Sequence, residues 1–123
     1  MTYDTSLVDR ARARRHRRQE AVRKATLRHL IRLQDEHAAA FGLSDPTIFG
    51  SITRSGRFKD DSDIDVAVEG LEAEAFFDTM SCLPSELGRP VDLVRLSSCH
   101  FAERIRERGM RWTRMSSYYS HPP

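Results

Sequence analysis

Cysteine is scarce in this chain: Cys82 and Cys99 are the only two in 123 residues, with no Cys-x-x-Cys spacing and no neighbouring histidine pattern. That excludes a disulfide framework and a cysteine zinc site, and leaves both as small core or half-buried residues. No apolar run approaches the roughly 20 residues needed to cross a bilayer, so a membrane-spanning helix is excluded. The first twenty residues lack the apolar core of a secretory signal and carry Asp4, Asp9 and Glu20, which a transit peptide avoids. The expected location is the cytoplasm. Glycine and proline are both missing from residues 4–41, and aromatic residues from 4–40. The first absence allows an uninterrupted helix; the second removes the stacking platforms that single-stranded nucleic acid requires. No internal repeat is visible.

What is abundant is arginine, unevenly placed. Residues 10–32 hold ten basic side chains (Arg10, Arg12, Arg14, Arg15, Arg17, Arg18, Arg23, Lys24, Arg28 and Arg32) against Glu20 alone. That segment carries +9, so the overall +2 leaves −7 for the remainder. A basic arm joined to an acidic body is suited to nucleic acid, to an acidic partner surface or to a neighbouring copy. Without aromatics, stacking on single strands is not indicated; a partner-docking helix or plain solvated surface is favoured over nucleic acid, which the Arg10–Arg32 helix could still meet through phosphates.

Hydrophobic periodicity divides the chain. Val22, Ala25, Leu30, Leu33 and Phe41 recur near helical spacing, widened by Leu27 and Ile31, and predict one long helix or two stacked ones ending at Gly42. Repulsion among the arginines predicts fraying of its first turns. Ser44-Asp45-Pro46 is a turn, after which three short β-branched runs predict strands at 47–49, 64–68 and 91–94. Residues 71–83 have helical character, 83–90 form a return loop, and Ser98 is placed to cap a last helix over 100–110. Three parts result: a basic helical arm (1–42), a small domain (43–115) and a flexible tail (116–123) containing Tyr118 and Tyr119. The class is α+β, a small mixed sheet packed by helices.

The stretch FGSITRSGRFKDDSDIDVAV, residues 49–68, carries the chemistry. Strand side chains alternate with period two, so Asp63 and Asp65 converge on one side. If residues 91–94 pair alongside, Asp92 presents a third carboxylate to the same place, with Val91 and Leu93 facing the other way. Three carboxylates on one sheet face are costly unless neutralised, and a hard divalent cation is the usual solution. Gly50 and Ser51, placed after a strand and at a helix start, offer a phosphate free N–H groups and a hydroxyl, and Arg54 adds a charge-assisted contact. Asp60 and Asp61 belong to the loop and are solvated. Arg32 with His37, and Arg95 with His100, match an Arg-x4-His spacing by chance in a chain so rich in arginine. His29 and His37 are packing or surface residues.

Strand, Gly50-Ser51, eleven residues to Asp63-Ile64-Asp65, apolar strand, helix, then Val91-Asp92-Leu93-Val94: this order resembles the polymerase β-like nucleotidyltransferase superfamily in its minimal, MNT-type form. The resemblance covers residues 43–96. Small members commonly read Gly-Ser-x-Ala-Arg-Gly, where this chain reads Gly50-Ser51-Ile52-Thr53-Arg54-Ser55 and keeps the arginine. The resemblance implies the minimal nucleotidyltransferase fold. It implies that Gly50, Ser51 and Arg54 hold the nucleotide phosphates and that Asp63, Asp65 and Asp92 bind one or two magnesium ions, Asp92 also assisting the attacking hydroxyl.

A chain this short has no dedicated domain for an antibiotic, tRNA or primer, so the acceptor is another protein. Stand-alone members resemble antitoxins of HEPN/MNT pairs, which transfer AMP from ATP to a tyrosine of a HEPN ribonuclease toxin. The alternative is a catalytically idle module that neutralises a toxin, or binds nucleic acid, by contact through its basic helix. A third reading is a small-molecule nucleotidyltransferase completed by a partner subunit.

Overall fold

The computed structural model describes residues 5–36, 46–69, 81, 83–112 and 115. Helix α1 (Ser6–Glu36) runs unbroken for 31 residues. Alanine, arginine, leucine and glutamine, all good helix formers, dominate it, and their propensity carries even the arginine-rich first turns. Its buried residues are Arg23, Leu27, Leu30 and Leu33, with Val22 and Ile31 partly covered. The burial stripe is therefore offset from the predicted one. Ala25 is exposed, and Phe41 lies outside the described residues.

Four strands form one mixed sheet in the order β3-β2-β1-β4. Strand β1 (Thr47–Phe49) pairs antiparallel with β2 (Ile64–Val68), placing Phe49 opposite Asp65. Strand β2 pairs parallel with β3 (Val91–Arg95), placing Asp65 opposite Asp92 and Val66 opposite Leu93. Period-two alternation gives the sheet two unlike faces. Ile48, Ile64, Val66 and Val68 join Leu27, Leu30 and Leu33 of α1 in the main core, with Val91 and Leu93 packed at its border. On the opposite face, Ala67, Leu96 and Ile105 form a smaller cluster flanked by Phe49, Ala102 and the half-buried Cys99. Asp65 and Asp92 alternate with the main-core residues, so they belong to the second face.

Residues 83–90 are not wholly a loop: Leu83–Leu87 form a short helix, α2, anchored by buried Leu83. Pro84 is tolerated in its first turn, where a missing N–H breaks no bond. The helix predicted over 71–83 and Cys82 lie outside the described residues, as do His37, Tyr118 and Tyr119. Helix α3 (Ala102–Arg108) is shorter than the predicted 100–110. Ser98 does not cap it: Ser98 closes a 3-10 turn, Leu96–Ser98, and Phe101 occupies the cap position with no side-chain bond.

A fourth strand, β4 (Met110–Arg111), pairs antiparallel with β1 and was not predicted, because two residues carry no period. Trp112, just beyond it, explains its place. Its backbone N–H donates to Pro46 O at 2.8 Å and its indole Nε1–H to Leu30 O at 2.6 Å. The ring is 1% exposed, so the only tryptophan welds the end of the sheet to the middle of α1. Among the described residues no helix is long and apolar enough to cross a membrane.

Candidate functional site

Asp65 and Asp92 are direct register partners across the parallel β2–β3 pair, and Asp63 stands one residue before β2. Asp63 and Asp92 are exposed, whereas Asp65 is half-buried. Burial, then the charge of Asp92, then that of Asp63, pushes the Asp65 carboxyl up from its ordinary 3.8 to about 6. Among the described residues no cationic side chain forms an ion pair with any of the three. The sheet thus brings the three predicted aspartates into one electrostatically coupled, unneutralised group. As they stand, no three His, Cys, Asp or Glu side chains among the described residues form a ready ion-holding cluster. The donor chemistry still fits a hard divalent cation, which takes carboxylate oxygens and would cancel this repulsion.

Gly50 adopts φ 82° and ψ −154°, a conformation open essentially to glycine alone. A Cβ placed there would collide with the Asp65 carboxylate. The missing side chain therefore makes room first for Asp65, where a phosphate approaching the Gly50 backbone was expected. Ser51 does not open an α-helix. Ser51–Thr53 form a single 3-10 turn, closed by Thr53 N–H to Gly50 O at 3.1 Å and Arg54 N–H to Ser51 O at 3.1 Å. The Thr53 hydroxyl also donates to Gly50 O at 2.7 Å. A helix macrodipole is absent, so any anion selectivity rests on the Ser51 hydroxyl and on side-chain charge.

That charge is present. Arg54 faces Arg104 and Arg108 of α3 across a cleft of about 120 Å³ that includes Gly50 and Phe101. Phe101 is 51% exposed, and among the described residues none of the three guanidinium groups has a hydrogen-bond or ion-pair partner. Arg104 and Arg108 were missed from sequence. Their signal was four-residue spacing on one face of a short helix, hidden among many other arginines.

Two further side chains hold the turn in place. Arg23 is 8% exposed; it donates from Nη1 to Ile52 O at 3.0 Å and from Nε to Glu20 at 3.2 Å. Glu20 accepts from the Gly56 N–H at 2.9 Å. Burial disfavours its ionisation, but bonds from Arg23, Gly56 and Ser55 outweigh that and draw its carboxyl down to about 2. On the other side, Arg89 lies over the Phe58 ring at 4.4 Å and donates to Ser62 O at 2.8 Å, fixing the loop that delivers Asp63. Asp61 is exposed; Asp60, equally so, meets Arg18 at 3.4 Å.

Comparisons with family models, with curated proteins and with solved structures gave no match. The described residues define an α+β protein, a long N-terminal helix on a small mixed sheet that carries paired aspartates on its second face.

Proposed function

We propose that this chain is a magnesium-dependent nucleotidyltransferase of the minimal polymerase β-like kind, an antitoxin that transfers AMP from ATP to a tyrosine hydroxyl of a HEPN ribonuclease toxin. The observation that carries the reading is the Asp65–Asp92 register pair, with Asp63 beside it and the Gly50 backbone against Asp65. Phosphate-binding groups and a carboxylate cluster then stand together, as nucleotidyl transfer needs. The resemblance in sequence motifs supplies the donor, the acceptor and the HEPN partner.

Asp63, Asp65 and Asp92 would hold the magnesium, which when bound supplies charge neutralisation and Lewis-acid polarisation of phosphoryl oxygens. The Ser51 hydroxyl and the Arg54 guanidinium bind the triphosphate. Asp92, the exposed member of the pair, accepts the proton of the attacking tyrosine Oη. The Oη–Pα bond forms, the bond from Pα to the bridging oxygen breaks, and pyrophosphate leaves with that electron pair. Gly50 contributes by having no side chain, which leaves Asp65 room at the turn.

The test is intact mass of this protein and its partner after incubation with magnesium and each nucleoside triphosphate, beside an Asp63→Ala/Asp65→Ala control. Expected is a partner heavier by one or more AMP groups, in the wild type only. Equal modification by the control removes the carboxylates from the mechanism. Unchanged masses with a stable complex establish neutralisation by contact.

A further inference from the structure

Helix α1 carries its charge in an ordered way that the sequence tally does not show. Arg10, Arg14, Arg17, Lys24, Arg28 and Arg32 follow one another at intervals of four, three, seven, four and four residues. At 3.6 residues per turn they fall within about 80° of one another, roughly opposite the buried Arg23, Leu27, Leu30 and Leu33. All six are exposed, and none of their side chains has an ion-pair or hydrogen-bond partner among the described residues. Among the described residues, two of the ten cations of this segment are satisfied, Arg18 by Asp60 and Arg23 by Glu20 and Ile52. The described acidic residues of the body leave this row unpaired.

From Arg10 to Arg32 the row is about 33 Å long at 1.5 Å per residue, close to one turn of B-form DNA at about 34 Å. On the opposite flank of the projecting half stand Arg12 and Arg15, both exposed, so this half shows cations to either side. Open grooves along the helix are lined by Arg14, Arg15 and Arg18, and by Arg17, Lys24 and Arg28. A straight basic helix with charge on both flanks fits a major groove about 12 Å wide with phosphates on each wall. Residues 6–18 contain no aromatic side chain for stacking on unpaired bases, and no Asn or Gln for reading adenine.

We propose that the outer face of α1 is a duplex-DNA binding surface that engages phosphates with little sequence preference. It does not depend on the nucleotidyltransferase reading, because no residue of the row belongs to that site.

The test is fluorescence anisotropy of the full chain with a labelled mixed-sequence 20-base-pair duplex, the same sequence single-stranded, and poly-glutamate, from 50 to 200 mM salt. Six phosphate contacts give a slope of log affinity on log salt of about −5. Replacing Arg10, Arg14, Arg17 and Arg28 with Gln lowers its magnitude to about 2 and weakens duplex binding at 0.1 M salt by at least about a hundredfold. All four are exposed, and unchanged circular dichroism confirms that the variant keeps its helix. Absence of duplex binding at 50 mM salt overturns the proposal, and so does a slope that the variant leaves unchanged. Binding of the single strand or of poly-glutamate as tight as duplex also overturns it, the latter assigning the face to an acidic protein.

Discussion

Replacing Asp65 with Asn should stabilise this protein at pH values above about 6. The carboxyl sits half-buried beside two like charges and holds its proton up to about 6 rather than 3.8. Folding therefore takes up a proton between about pH 4 and 6, and the fold loses stability as pH rises through that window. Well above pH 6 the full difference corresponds to at most about 3 kcal/mol, at 1.36 kcal/mol for each unit of pKa. Water reaching a half-buried carboxylate, and charge repulsion persisting in the unfolded chain, reduce this to about 1–2 kcal/mol. For a chain of this size that raises the melting temperature by roughly 4–8 °C. Asn keeps the shape and removes the charge. The assay is thermal unfolding in EDTA, followed by the fluorescence of Trp112, at pH 8 and pH 4.5. The Asn variant should melt higher at pH 8, and the gap should shrink to about a third of that at pH 4.5. Magnesium at ten times its Kd should stabilise the wild type by about 1.4 kcal/mol and the variant by less. A variant no more stable than wild type at pH 8, or a gap of equal size at both pH values, would refute the electrostatic account of the site.

Gly50→Ala forces a left-handed backbone on alanine and a methyl group into the Asp65 carboxylate; we expect a loss of about 2–4 kcal/mol, measured by urea unfolding, and a smaller loss when Asp65→Ala accompanies it. Trp112→Phe removes the indole bond to Leu30 O and should cost about 1–2 kcal/mol, measured by circular dichroism melting because the fluorophore is lost. Glu20 is ionised down to about pH 2, so its contribution to stability is present above about 4.5 and is lost as pH falls toward 2. Glu20→Gln should be less stable than wild type at pH 7, and the gap should narrow in acid melts.

The strands at 47–49, 64–68 and 91–94 were legible because each is a short β-branched run between turns, the third running one residue further to Arg95; Asp92 was expected beside Asp65 on the condition that those two strands pair, and they do. The α-helix expected after Gly50 was not, because only a single 3-10 turn fits before Gly56 reverses the chain at φ 80°. Strand β4 is two residues long and owes its position to Trp112, a contact between residues 82 apart that no local pattern encodes. Arg23 was counted with its basic neighbours, yet it is the one cation on the buried stripe, in line with Leu27 and Leu30. Its position was readable in the helical period; its partner, the carbonyl of Ile52, was not.

The latch formed by Glu20 and Arg23 makes α1 mechanically a cantilever. At His16, which lies beside Gly56, the helix meets the body; before it, residues 7–15 are all exposed over about 14 Å. A load on the free end creates a bending moment that is greatest at the clamp, and the clamp grips Ile52 and Gly56, the turn that follows Gly50. Any strain the arm transmits therefore arrives first at the segment lying against Asp65.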